Sequence, residues 1–344
     1  MTFTSSIPFD TIPPMTRREF ASRAAALAAP VQTKPACAPL PEFDPGIKIA
    51  WQAGSDPRPE DLDFVKQLGL SWVTLNTSGA GGTLENFQRI QANVEAAGIR
   101  VWSIGNTNVH NMEEVSLNLP GRDTRIAEYQ QYLRNLSAVG LRYTTYAHMG
   151  DGIGSAERAL IGGCPVRPYT EKEIWDNFTY WVERAAPVAE QEGVLIGIHP
   201  DDSPAEASSG LPRCLFSSFA GYKRALEIAN SPNIGVCLCC GCWLAGGQRM
   251  GADVITAIRY FAGRNRLWKI HLRMHPGGGS IDTYQILKAL VEVDFRGAIL
   301  VDHIPDAAAG SKRAWARQLT HATGLLARAI GEVRRPAGSF RPAV

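Results

Sequence analysis

The chain has 344 residues, 45% of them hydrophobic and 20% charged, with a formal net charge of +2. That balance belongs to an ordinary globular protein with enough chain to bury a large core, and it leaves no electrostatic footprint for nucleic acid and no acidic tail. No apolar run reaches the length needed to span a membrane.

Residues 1–45 are rich in Pro, Ser, Thr and Ala and read as an extension outside the fold. Within them MTRREFASRAAALAAP (15–30) sets Arg17-Arg18 ahead of Phe20 and an Ala-rich stretch, as in a twin-arginine export signal. A disordered or helical extension is the other reading, which leaves periplasm and cytoplasm both open.

From residue 46 strand-like and helix-like segments alternate. IKIAW (47–51) precedes a helix pattern at 59–69, WVTLN (72–76) one at 83–98, and VWSIGN (101–106) a loop and then one at 122–140. YTTYAH (143–148) precedes 171–193, VLIGIH (194–199) precedes 219–229, and IGVCLCC (234–240) precedes 253–263. LWKIHLR (267–273) precedes 282–293, and AILVDHI (298–304) precedes 312–333. Glycines in QLGLS, AAGIR, AVGLR and QEGVL sit where helices end. Eight strand–helix units imply a parallel sheet in an α/β protein. Their number and span fit a (β/α)8 TIM barrel over 46–335 followed by a short tail, 336–344. An open doubly wound sheet is the alternative, but no G-x-G-x-x-G follows the first strand.

Chemistry in such a barrel is built at the C-terminal strand ends. The fourth strand ends at His148, the fifth at His199, the sixth at Cys239-Cys240, the seventh at His271 and Arg273, and the eighth at Asp302-His303. Successive strand residues face opposite sides. If Ile196 and Ile198 face the helices, His199 points inward. If Val236 and Leu238 face out, Cys237 and Cys239 point in. If Trp268, Ile270 and Leu272 face out, Lys269, His271 and Arg273 point in. If Ile299 and Val301 face out, Asp302 points in. Parity thus selects His199, Cys239, His271 and Asp302 as one inward ring. Two imidazoles, a thiolate and a carboxylate suit Mn²⁺, Fe²⁺ or Zn²⁺.

Four of the seven cysteines lie in CLCCGCW (237–243), too close together for a disulfide framework. They point to a reduced protein or to thiolates held by a metal. A compact zinc or iron–sulfur knot is the competing reading, but one strand cannot wrap four such thiolates around one ion.

These segments resemble the mannonate dehydratase family, metal-dependent sugar-acid lyases of the xylose-isomerase-like barrels. The likeness is carried by the stretch 108–149, by IGIHPDDSP (196–204), GVCLCCG (235–241), KIHLR (269–273) and VDHI (301–304). It implies conversion of D-mannonate to 2-keto-3-deoxy-D-gluconate and water. It places the metal ligands on His199, Cys239, His271 and Asp302. It offers Asp302 or His303 as the base, His110 and Asp201 for proton transfer and substrate contact, and Arg273 as a holder of the substrate carboxylate. The chain departs from the family around the last strand. Leu300-Val301 precede Asp302-His303 in place of Arg-Pro, and no tyrosine follows within PDAAAGSKRAWARQLTH (305–321). A sugar isomerase or epimerase is the second reading, although such enzymes favour glutamates at several strand ends and none stands at the fourth to eighth here. A sugar-binding barrel without turnover is the third. The expected partner is a small sugar acid, with no nucleic acid, no membrane in the mature form, and a homo-oligomer open.

Overall fold

The computed structural model describes residues 40, 42–148, 160–161, 164–165, 169–200, 215–272, 282–302 and 311–334. The twin-arginine stretch, Asp201, Arg273, His303 and the tail at 336–344 lie outside the described residues.

Eight strands form one parallel sheet: β1 (Lys48–Ala53), β2 (Trp72–Thr77), β3 (Arg100–Asn106), β4 (Tyr143–Tyr146), β5 (Leu195–Ile198), β6 (Ile234–Cys239), β7 (Leu267–Leu272) and β8 (Ala298–Val301). Each is followed by one main helix: α1 (Pro59–Gln67), α2 (Leu84–Ala96), α3 (Arg122–Ala138), α4 (Glu171–Glu192), α5 (Phe219–Ala229), α6 (Val254–Ala262), α7 (Thr283–Glu292) and α8 (Lys312–Val333). A two-stranded antiparallel pair, Leu160–Ile161 with Cys164–Pro165, stands apart from the sheet. The expected (β/α)8 barrel is the architecture found. No helix among the described residues is long and apolar enough to cross a membrane.

Local signals start and stop the helices where the sequence places them. Thr170 and Glu173 form a reciprocal capping box at the start of α4, and Asp253, Asp282 and Ser311 cap α6, α7 and α8 with their side chains. Gly193 ends α4 at φ 62°, the left-handed turn that frees the chain to enter β5.

Neighbouring strands run β3-β2-β1-β8-β7-β6-β5-β4, so the first and last strands pair and the ladder is interrupted between β3 and β4. Tyr132 of α3 bridges that seam. Its hydroxyl donates to the Ile104 carbonyl of β3 (2.6 Å) and lies 2.8 Å from Thr144 Oγ1 of β4.

Alternation splits each strand between two cores. Ile196, Ile198, Val236, Leu238, Ile270, Leu272, Ile299 and Val301 join the large layer beneath the helices. Trp102, Tyr143, Leu195, Trp268 and Ala298 form a second cluster with Phe43 and Trp72. These are the first inward positions of their strands, and together they plug the barrel floor.

Trp268 corrects one sequence-based expectation. It faces the barrel interior, not the helices. The register with β6 pairs Val236 with Leu267 and Cys237 with Lys269, so Trp268 is an extra residue in a bulge. Trp102 is the extra residue of a second bulge, between the Val73–Val101 and Thr74–Ser103 pairs. Each bulge turns an indole into the floor while leaving the next residue, Lys269 or Ser103, inward as well.

Room for Trp268 is made by Gly235 opposite. A Cβ there would lie 2.5 Å from Trp268 Cζ3 and 2.7 Å from the Arg266 carbonyl. Because one of those neighbours is backbone, Gly235→Ala is expected to cost about 1–3 kcal/mol through overpacking, seen as a lowered Tm. An unchanged Tm would contradict this account of the floor.

Candidate metal centre

The upper end of the barrel gathers polar side chains from consecutive strands. His199 follows β5 directly, and its N–H donates to the Tyr146 carbonyl of β4 (2.8 Å), carrying the strand spacing one residue further. Cys239 ends β6 and caps a short helix, Cys240–Gly246, that turns the chain sharply away. His271 on β7 is the register partner of Cys239. Asp302 follows β8, tied down by its N–H to the Leu272 carbonyl (3.0 Å).

His199 Nε2 lies 3.0 Å from His271 Nδ1. One ligand atom from each of His199, Cys239 and His271 lies within 4.8 Å of the others. Asp302 Oδ2 lies 3.5 Å from His271 Nδ1. It touches the trio without joining it, because Leu300 is the register partner of His271 and Asp302 stands one inward position higher. A borderline-soft divalent ion suits this mixture of nitrogen and sulfur donors, and His199, Cys239 and His271 could hold one.

The state of the Cys239 thiol fits that use. A hydrogen bond from Cys242 holds the Cys239 thiol well below its ordinary range, and His199 and His271 reinforce it against the opposing effect of burial. A thiolate is the form that binds metal. Burial works against a charged His271, yet the neighbouring Cys237 and the hydrogen bond with Asp302 outweigh it and hold this imidazole well above its usual range. Cys237, one inward position below Cys239, would be raised by burial but is drawn down to about 7, chiefly by His271.

His110 approaches from the other side. It ends a short helix, Thr107–His110, after β3. Its Nδ1 lies 3.1 Å from the Thr145 carbonyl, and its own carbonyl accepts from Ala147 N–H at 2.8 Å, so it is pinned to β4 across the seam. Its ring is 6.4 Å from that of His199. Burial first, then the neighbouring His199, lowers it to about 4 and keeps it neutral. With Nδ1–H given to a carbonyl, Nε2 is left as an acceptor.

His148 stands outside the ring. Tyr146 and His148 share the helix-facing side: Tyr146 stacks on Trp181 of α4 at 3.6 Å, and His148 packs against Phe178 of the same helix. Tyr146 Oη is 2.9 Å from His148 Nδ1. Burial lowers this imidazole to about 3.

His199, His271 and Asp302 line one wall of a cavity of about 450 Å³, a size suited to a small metabolite. The opposite wall comes from β1, β2 and β3 and presents Gln52, Thr74, Asn76, Ser103 and Asn106. The sequence reading overlooked this polar half and gave Lys269, which also lines the cavity, no role. A signal was there, since Thr74 and Asn76 alternate with the fully buried Val73 and Leu75.

Comparison with known proteins follows the same lines. The model of the family described as D-mannonate dehydratase (UxuA) matches residues 47–153 and 166–321. A mannonate dehydratase of Geobacillus thermodenitrificans is 27% identical over 312 residues, covering 72% of this chain and 80% of that protein. One from Streptococcus equi subsp. zooepidemicus is 27% identical over 310 residues, covering 74% and 81%. The crystal structure of mannonate dehydratase from Streptococcus suis serotype 2 superposes with a TM-score of 0.67 at 22% identity, covering 87% of this chain and all of that one. An L-ribulose 3-epimerase gives 0.58 at 18%, again covering 87% of this chain and all of that one. Both structural matches speak to the fold.

Two outcomes are expected. His199→Ala, Cys239→Ala and His271→Ala should each bring bound metal, measured by elemental analysis after loading with Mn²⁺, well below one ion per chain; full occupancy in all three would remove the centre. His148 protonates near 6.5 when unfolded but only near 3 when folded. The unfolded chain therefore binds the extra proton between those values. Its contribution is intact above about pH 6.5 and falls by up to about 1.4 kcal/mol per pH unit below that. A His148→Gln variant should show a shallower loss of Tm between about pH 6 and 4.

Proposed function

The chain belongs to the D-mannonate dehydratase family, hydro-lyases that act on a sugar acid, and from that premise we propose that it converts D-mannonate to 2-keto-3-deoxy-D-gluconate and water with Mn²⁺ or Fe²⁺ held by His199, Cys239, His271 and Asp302. The observation that carries this reading is the convergence of nitrogen, sulfur and carboxylate donors beside one wall of the cavity, with the His110 imidazole opposite.

Dehydration removes the weakly acidic proton beside the carboxylate and expels the neighbouring hydroxyl. When bound, a divalent cation supplies Lewis-acid stabilisation for the charge that develops on the substrate carboxylate. The chain's own groups must orient the acid and move the proton.

The geometry favours His110 as the group that takes the proton, where the family resemblance offers Asp302 or His303. Asp302 is engaged beside His271. His110 is neutral, its Nδ1–H is committed to Thr145, and its Nε2 is the acceptor. The imidazolium so formed returns that proton to the departing hydroxyl, which leaves as water and restores neutral His110. Amide and hydroxyl groups on β1–β3, among them Gln52, Asn76 and Ser103, match the hydroxyls of a sugar chain. Arg273 and Asp201 keep the substrate-binding roles that the resemblance assigns.

The test is anaerobic loading with Mn²⁺ or Fe²⁺, addition of D-mannonate, and detection of 2-keto-3-deoxygluconate. Product is expected with metal and none after chelation. His110→Ala should lower kcat by roughly 10²–10⁴ with metal content retained. Metal-loaded protein that forms no product would sink the dehydratase reading and turn attention to isomerase and epimerase substrates.

A further inference from the structure

The inner face of the barrel is layered. Below the donors His199, Cys239 and His271, a middle layer holds Thr74, Ser103, Cys237 and Lys269, and beneath it lies the aromatic floor. Lys269 is 7% exposed and lines the cavity. It stands directly after the bulged Trp268, and its Nζ lies 6.0 Å from the centre of the Tyr143 ring.

Two buried lysines project into this barrel, and they are treated differently. Lys48 lies in the floor, where its Nζ donates to the carbonyls of Asp44 and Arg296. Lys269 Nζ has no hydrogen bond or ion pair with any described residue. It lines the cavity together with His110, His271 and Asp302, and burial lowers its pKa from the ordinary lysine value against the opposing pull of Cys237 and Asp302. Facing the cavity, the ammonium is open to whatever fills it, and a ligand that brings an acceptor would take the place of water there.

On the sugar-acid reading the anionic oxygens of the substrate are the acceptors this ammonium pairs with most strongly, because a hydrogen bond between charged groups is stronger than one to a hydroxyl.

We propose that Lys269 Nζ binds the carboxylate of the substrate from the middle layer of the barrel, in addition to the contact that the resemblance assigns to Arg273, and so selects sugar acids over the corresponding uncharged sugars and alcohols. The assignment rests on the sugar-acid reading given above and adds to it the residue that enforces the acid. It is a role that neither parity nor the family resemblance gives to this position.

The experiment uses the metal-loaded full chain with Lys269→Met and Lys269→Gln, the second keeping polarity without charge. Affinities for D-gluconate and for D-sorbitol, an acid and an alcohol of similar size, are measured by calorimetry, together with KM and kcat for D-mannonate and metal content. Wild type should prefer gluconate. In both variants gluconate affinity should fall roughly 10- to 100-fold, as for loss of a hydrogen bond between charged groups. KM should rise by a similar factor, with sorbitol affinity and metal content unchanged. A wild type that prefers gluconate but turns over no mannonate, with the preference lost in the variants, overturns the dehydratase reading and upholds Lys269. A wild type that turns over mannonate, with variants that keep its KM and its gluconate preference, overturns Lys269 and leaves the dehydratase. A variant that fails to fold is replaced by the other, since a buried Met and a buried Gln stress the site in different ways.

Discussion

A sheet covered by helices outside and closed on itself inside has two buried faces, and alternation is the rule by which each strand divides its residues between them. Everything at the upper end of this barrel follows from that division. Ile198 faces α-helix, so His199 faces the cavity. Leu238 faces out, so Cys239 and His271 meet as register partners inside. The strands are staggered around the barrel, and the same rule therefore sets Asp302 one step above His271, close enough to touch its ring but outside the tight trio.

The two bulges are the departures from the rule, and they divide the interior by height. Each adds one residue to a strand, at Trp102 in β3 and Trp268 in β7, and these strands lie on opposite sides of the barrel. Their indoles close the bottom with apolar surface. Polar side chains begin one layer higher, so the cavity has a dry floor and hydrogen-bonding walls. Electrostatic interactions above such a floor are strengthened by the low-dielectric surface beneath them. The seam between β3 and β4 completes the arrangement. Tyr132 holds it from the helix side, and His110 crosses it from the cavity side through Thr145 and Ala147.

Much of this was readable before any coordinates. The eight units came from hydrophobic periodicity and from the turn glycines, and the inward ring came from strict alternation. What alternation misjudged was Trp268, because a large apolar side chain is acceptable on either face and nothing local marks a parallel bulge. His148 looked like a strand-end ligand until its face was compared with that of Tyr146, which stacks on Trp181. The cavity's polar wall passed unnoticed because Thr74 and Asn76 are common strand residues whose meaning lies only in their alternation with Val73 and Leu75. The short helix after Cys239 was hidden in CLCCGCW, a stretch whose cysteines and glycine carry little helix propensity.

The order of strands also bears on how the molecule comes into being. The ladder joins β1 to β8, pairing Lys48 with Ala298, while the interruption falls between two strands that are neighbours along the chain. Closure therefore depends on the most distant pairing available, the kind that makes folding slow. His199, Cys239, His271 and Asp302 all belong to the second half of the chain. During synthesis the N-terminal half emerges with none of these four groups, and all of them are present only once β8 has been made. A site built from these four groups is therefore complete only when the barrel closes, and whatever binds there favours the closed form over every earlier one.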